Sequence, residues 1–182
     1  MDDVARLVAR DAIRDLATRY ALAVDGKDLD ALAGLFAPDV DNGRYGQGPD
    51  GVRRFFDQSL RKFHCSMHVV ANHVIDLEDE DHATGVVYCQ AYHHVPDPDH
   101  WFDEFLAYWD TYERVDGSWC FRRRRVRSWY REGHGHPELG DRRIEATATT
   151  TGPKRGGRMP EVFPTFEPFW AIDPLGLPTE AD

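Results

Sequence analysis

Residues 11–40 read DAIRDLATRYALAVDGKDLDALAGLFAPDV, and the spacing of their apolar side chains sets the architecture of the chain. Ile13, Leu16, Tyr20 and Val24 recur at helical intervals, while Arg10, Arg14, Asp15 and Arg19 occupy other faces. Gly26 suits the residue that leaves a helix, and Asp28 suits the start of the next one. Leu32, Leu35 and Phe36 continue the buried stripe until Pro38 stops it. The pattern predicts a long amphipathic helix, a break at Asp25-Gly26 and a short second helix. Tyr20 on the inward stripe and Asp25 just past its end bring a phenol and a carboxylate to one end of a core-facing helix. That pairing is the first sign of a site.

Working outward, 182 residues fit one domain with room for a real core. An apolar fraction of 41% with five Trp belongs to a folded protein rather than a disordered one. The net charge of −10 makes nucleic acid and anionic membrane poor partners. No run approaches the roughly 20 apolar residues of a membrane-spanning helix, and MDDVARLVARD lacks the core of a signal peptide. Cys65, Cys89 and Cys120 are odd in number and lack metal-ligand spacing, which suits reduced thiols in a cytoplasm.

After the helical pair, Asp39 to Gly48 is turn-rich, with a short strand expected around Arg44-Tyr45. GVRRFFDQSLRKF, residues 51–63, returns to helical spacing through Val52, Phe55, Phe56 and Leu60. Four stretches rich in β-branched and aromatic residues follow: 64–77, 83–95, 101–115 and 119–130. Turn residues separate them, and Asp116-Gly117 is a strong hairpin signal. Helices followed by consecutive long strands predict an α+β fold, with N-terminal helices packed on a curved, mostly antiparallel sheet. Residues 1–131 form that domain. Residues 132–182 are expected to be an irregular extension rich in Pro and Gly (Gly152, Pro153, Gly156 and Gly157 among them). Its Phe163, Phe166, Phe169 and Trp170 are too apolar for a free tail, and packing on this subunit's sheet or a neighbour's is expected.

The order of elements, the Tyr20…Asp25-Gly26 helix end, the LFAPDV exit and the YERVDGSW hairpin together resemble the SnoaL-like branch of the nuclear-transport-factor-2-like superfamily. The resemblance covers about residues 3 to 131. It implies an α+β cone closed over an apolar pocket, often dimeric through the outer face of the sheet. FHCSMHVVANHVIDL, residues 63–77, is similar to the strand of hexachlorocyclohexane dehydrochlorinase that carries a catalytic histidine, and His68 falls on the matching position. Asp25 matches the aspartate of that dyad. The Tyr20, Asp25 and His68 set also resembles bile-acid 7α-dehydratase, with scytalone dehydratase a more distant relative. The fold hosts many chemistries, so it decides little alone.

On a strand, alternate residues share a face, so His64, Ser66, His68, Val70 and Asn72 are expected to point one way. With that face inward, His68 is the general base, Asp25 orients it, Tyr20 bonds a carbonyl or leaving hydroxyl, and Asn72 is a polar neighbour in the pocket. Phe55, Tyr88 and Trp109 are taken as apolar pocket residues, although aromatics of this kind serve a core equally well. Alternation splits the run Arg122 to Arg125 between faces, and the dehydrochlorinase match brings Arg124 into the pocket as an anion stabiliser. Arg127 has a competing match to the bile-acid enzyme that needs the opposite face. For a metal, His64 and His68 are spaced about 13 Å along a strand and His93-His94 diverge, which leaves His134-Gly-His136 as the better pair and no metal or other cofactor expected.

The resulting expectation is a cofactor-independent lyase of dehydratase type acting on an apolar cyclic molecule such as a steroid or polyketide, a class implied by the resemblance. Two rivals stand beside it. One is an isomerase or cyclase using the same base. The other is a non-catalytic subunit like the small subunits of ring-hydroxylating dioxygenases. A homodimer or higher homo-oligomer is the family expectation. A pocket of a few hundred Å³ that His68 can reach separates enzyme from subunit.

Overall fold

Asp2 begins the first helix, accepting the backbone N–H of Ala5 with its carboxylate. Helix α1 (Asp3–Asp25) therefore starts well before the stretch that first signalled it, and it is long enough to lie across the sheet. Its stripe of Ile13, Leu16, Tyr20 and Val24 is buried as the spacing required. The chain leaves α1 through Gly26 in an ordinary helical conformation, and the left-handed residue is Lys27 at φ 54°. Gly26 is needed for a different reason: a Cβ there would stand 2.9 Å from the ring of Phe163. Helix α2 (Leu29–Gly34) is capped by Asp28, as expected. A single 3-10 turn at Gly43–Tyr45 replaces the strand expected there, and α3 (Gly48–Leu60) follows.

The computed structural model describes residues 1–97, 99–134, 160 and 162–178. Four long strands form one curved, open antiparallel sheet in the order β1 (Cys65–Leu77), β2 (His82–Pro96), β3 (Asp99–Val115) and β4 (Ser118–His134). The β3–β4 turn has positive φ at both Asp116 and Gly117, the twist a two-residue hairpin requires. The core lies between helices and sheet. There Ile13, Leu32, Val52, Ile75, Val87, Tyr112 and Phe121 are almost wholly excluded from solvent.

Of three irregularities in register, two decide what the sheet presents inward. Pairing of β1 with β2 shifts between Val70 and His73, so the inward set changes from Ser66, His68 and Val70 to His73, Ile75 and Leu77. Strict alternation is thereby broken: Asn72 is exposed and His73 turns in. A second shift, between Thr111 and Tyr112 on β3, sets Tyr112 opposite Phe121 and Thr111 opposite Arg123. This bulge leaves both Phe121 and Arg124 inside.

Beyond the sheet, α4 (Phe166–Ala171) is held to the Gly26–Asp28 loop through Thr165, to Arg61 at the end of α3 and to His64 just before β1. Lys27 is buried and donates to the carbonyls of Leu60 and Phe63, at 3.0 and 2.9 Å. Its ammonium also sits 4.9 Å from the Trp170 ring centroid and 5.1 Å from that of Phe169. Gly152, Pro153, Gly156, Gly157 and His136, and the side chain of His134, lie outside the described residues.

Candidate active site

Asp25 ends α1 beside β1, and three groups of that strand converge on its carboxylate. His68 Nδ1 lies 2.7 Å from Oδ1, the His68 backbone N–H donates to Oδ2 at 2.8 Å, and Ser66 Oγ donates to Oδ1 at 3.1 Å. The side chains of His68 and Asp25 are only 7% and 13% exposed. A carboxylate is an acceptor, so His68 Nδ1 carries the hydrogen, and in the neutral ring the lone pair is on Nε2. This is the arrangement of a base held in one tautomer and orientation by an acid partner.

Next to the pair opens a cavity of about 550 Å³ between α1 and β1, lined by Arg14, Thr18, Ala21, Leu22, Asp25, His68, Val70, Ala71 and His73. His93 stands behind His68, ring centroids 5.6 Å apart at 80°. It is buried between Phe63 and Phe102, and its Nδ1 has no hydrogen-bond partner among the described residues. Burial, helped by the charges of His68, Arg131 and Lys27, pushes the His93 imidazole down to about 3, so it is uncharged at neutral pH.

Tyr20 and Arg124 meet each other, but they do not line this cavity. The Arg124 guanidinium lies 4.2 Å from the Tyr20 ring centroid and 4.1 Å from that of Tyr108. It also forms a fork to Asp110, with Nε at 2.9 Å from Oδ1 and Nη2 at 2.7 Å from Oδ2. Burial pushes the Tyr20 phenol up to about 12, against the opposing pull of Arg124. Arg124 is thus a compensated cation inside the core rather than a free one facing a ligand.

The residues expected to grip a substrate are placed elsewhere. Asn72 is turned outward by the β1 bulge. Tyr88 (44% exposed) and Trp109 (56%) are on the outer face of the sheet, because β2 buries odd-numbered residues around Tyr88 and β3 even-numbered ones around Trp109. Phe55 (39%) packs outside α3 against Tyr45 and Phe56. Arg127 is exposed. Ser66, expected on the inward face but given no role, buttresses Asp25, and the histidines at 73 and 93 also turn inward without a role having been assigned to them in the site. Among the described residues no cluster of three His, Cys, Asp or Glu is arranged to hold a metal.

The profile of the SnoaL-like domain matches residues 5–125. The chain belongs to the SnoaL-like family. Among solved structures, this SnoaL-like protein is similar to LinA at 26% identity, covering 76% of this chain and 98% of that one with a TM-score of 0.69. It shares its fold with the hexachlorocyclohexane dehydrochlorinase LinA-type3 of Novosphingobium barchaimii LL02, at 23% identity, coverages of 76% and 98%, and a TM-score of 0.68. It also shares it with a protein provisionally assigned as a scytalone dehydratase of Novosphingobium aromaticivorans, at 24% identity, coverages of 75% and 94%, and a TM-score of 0.65. No curated protein matches it by sequence. Among the described residues no helix is long and apolar enough to cross a membrane.

Proposed function

We propose that this SnoaL-like protein is a cofactor-independent lyase of dehydratase type acting on an apolar cyclic small molecule. The observation that carries the reading is the 2.7 Å contact of Asp25 with His68 Nδ1 at the wall of a ligand-sized cavity. It is supported by similarity to structures that include a dehydrochlorinase. In the reaction, Nε2 of His68 takes a proton from a carbon next to an activating group. The C–H electron pair becomes a double bond as a hydroxyl or halide on the neighbouring carbon departs with its own pair. Asp25 stabilises the imidazolium formed in that step. With a hydroxyl leaving group, the imidazolium returns its proton to that oxygen, so water departs and neutral His68 is restored. With a halide, the proton passes to solvent.

Tyr20 and Arg124 act from behind in this reading, since Arg124 is already paired with Asp110. Arg14 is the cation on the cavity wall. Three free thiols suit a cytoplasmic setting. A homodimer through the outer sheet face is the proposed assembly, supported by exposed Tyr88, Trp109 and Trp129.

The test uses 5-nitrobenzisoxazole, an apolar bicycle that loses its C3 proton to a base as its N–O bond breaks, releasing a coloured cyanophenolate. The wild-type protein is expected to open it at least about 100-fold faster than His68→Gln, the usual scale for general-base catalysis, with nearly equal thermal stability. Equal rates in the two proteins would remove the base. The isomerase or cyclase reading uses the same base and is separated from this one by whether a natural substrate loses a group.

A further inference from the structure

The cavity holds a second imidazole that proton abstraction does not use. His73 lines it at the end away from Asp25. Its Nε2 lies 3.0 Å from the Tyr112 hydroxyl, and that hydroxyl donates to Asp110 Oδ2 at 2.9 Å. Asp110 in turn receives the fork from Arg124. A phenol has one hydrogen to give, and Asp110, already gripped by a group that only donates, takes it. The Tyr112 oxygen therefore offers His73 only lone pairs, and Nε2 must supply the hydrogen. By elimination His73 is the Nε2–H tautomer, and Nδ1 carries a lone pair with no hydrogen-bond partner among the described residues.

Space for the arrangement is built in from the neighbouring strand. A Cβ at Gly85 would stand 2.7 Å from the Val74 carbonyl oxygen, 3.1 Å from the Tyr112 ring and 3.3 Å from His73 Nε2. All four strands thus serve one imidazole, with His73 on β1, Gly85 on β2, Tyr112 and Asp110 on β3 and Arg124 on β4. Burial keeps His73 uncharged by pushing it down to about 4, with Arg14 and Arg124 acting in the same direction against Asp110.

We propose that His73 selects the substrate, its Nδ1 accepting a hydrogen bond from a hydroxyl that the substrate carries at the end remote from the carbon losing its proton. The class of ligand follows from the wall. His68 and His73 are on the order of 15 Å apart along β1 at the rise of a strand. Arg14 and Asp25 are about 16 Å apart along α1 at the rise of a helix. Ala21, Leu22, Val70 and Ala71 lie among them on the wall. An elongated, flat molecule of fused rings fills such a space. A hydroxyl can donate to Nδ1 while its oxygen accepts from Arg14. A carboxylate could use Arg14 but would set lone pairs against Nδ1. This inference rests on the lyase reading for the identity of the cavity as the substrate site.

The test measures binding of two probes, 2-naphthol and naphthalene, by fluorescence, with the histidine ring nitrogens followed by ¹⁵N NMR. The free protein is expected to show His73 with hydrogen on Nε2 and none on Nδ1. 2-Naphthol should bind about tenfold tighter than naphthalene, the value of one hydrogen bond, and it alone should move the Nδ1 signal. His73→Phe should erase the preference, and Tyr112→Phe should release the tautomer. Equal affinity, binding by neither probe, or an unmoved Nδ1 signal would each overturn the proposal. The NMR result on the unaltered protein stands even if a variant fails to fold. His68→Gln should keep the 2-naphthol preference, so failure of this proposal and failure of the base are read separately.

Discussion

Asp25 accepts three hydrogen bonds from β1, and only one of them belongs to the proposed chemistry. The bonds from Ser66 and from the His68 backbone fix where β1 sits against α1, and the bond to Nδ1 fixes the ring. Asp25→Asn keeps one acceptor and exchanges the other for a donor, so the imidazole loses its tautomer as well as its counter-charge. Opening of 5-nitrobenzisoxazole should fall at least about 100-fold, and unfolding in urea should show a loss of about 1–3 kcal/mol. A variant with full stability and full activity would separate Asp25 from both roles. The two uncharged histidines make a prediction about acid. An unfolded histidine titrates near 6.5, whereas His93 in the folded protein resists protonation down to about 3 and His73 down to about 4. In that window the unfolded chain binds protons that the folded one refuses. Stability therefore rises with pH there, and it is lost as pH falls below about 6.5, at up to about 1.4 kcal/mol per pH unit for the buried His93 and less for the partly solvated His73. His93→Phe should flatten part of this acid limb in urea titrations at pH 7 and pH 4. An unchanged limb would contradict it.

At the level of elements, what was legible in the sequence and what was not divides along strand regularity. Ile13, Leu16, Tyr20 and Val24 announce α1, and Asp116-Gly117 announces the last hairpin, because local periodicity and turn chemistry are carried by the residues themselves. The pairing of Asp25 with His68 came from the resemblance to the dehydrochlorinase, and regular alternation up to Val70 accounts only for His68 facing inward. The bulge after Val70 has no such signature, since Ala71 and Asn72 are poor strand formers but nothing in them says where the register shifts. Alternation therefore misplaced Asn72 and hid His73. Aromatic content likewise could not say which face of the sheet Tyr88 and Trp109 would occupy. The α4 segment gives the element-scale prediction. Lys27→Met would keep an apolar stem beneath Trp170 but leave the Leu60 and Phe63 carbonyls without their donor. The expected cost is about 2–4 kcal/mol, from two under-satisfied carbonyls, measured by urea unfolding. A cost below about 1 kcal/mol would show that water replaces the ammonium.

For the whole molecule, the sheet divides labour between its faces. The inner face carries the Asp25–His68 contact, the His73 relay and the core, while the outer face exposes Met67, Val69, Val74, Tyr88, Trp109 and Trp129. If copies of the chain meet there, as proposed, Trp109→Glu combined with Trp129→Glu should convert a dimer to a monomer in sedimentation while the 5-nitrobenzisoxazole rate changes little. A dimer that survives both changes would place the interface elsewhere. Such a pair of substitutions leaves α1 and the inner face of β1 untouched, so oligomer and chemistry are separable experimentally.

The proposed chemistry turns on His68, oriented by Asp25, removing a proton from carbon. The most direct measurement is the rate of opening of 5-nitrobenzisoxazole with hydrogen or deuterium at C3, in the wild-type protein and in His68→Gln. The wild type is expected to open the deuterated probe several-fold more slowly, and His68→Gln to fall to the rate of buffer with either isotope. Isotope-independent opening by the wild type, or an undiminished rate in His68→Gln, would contradict it.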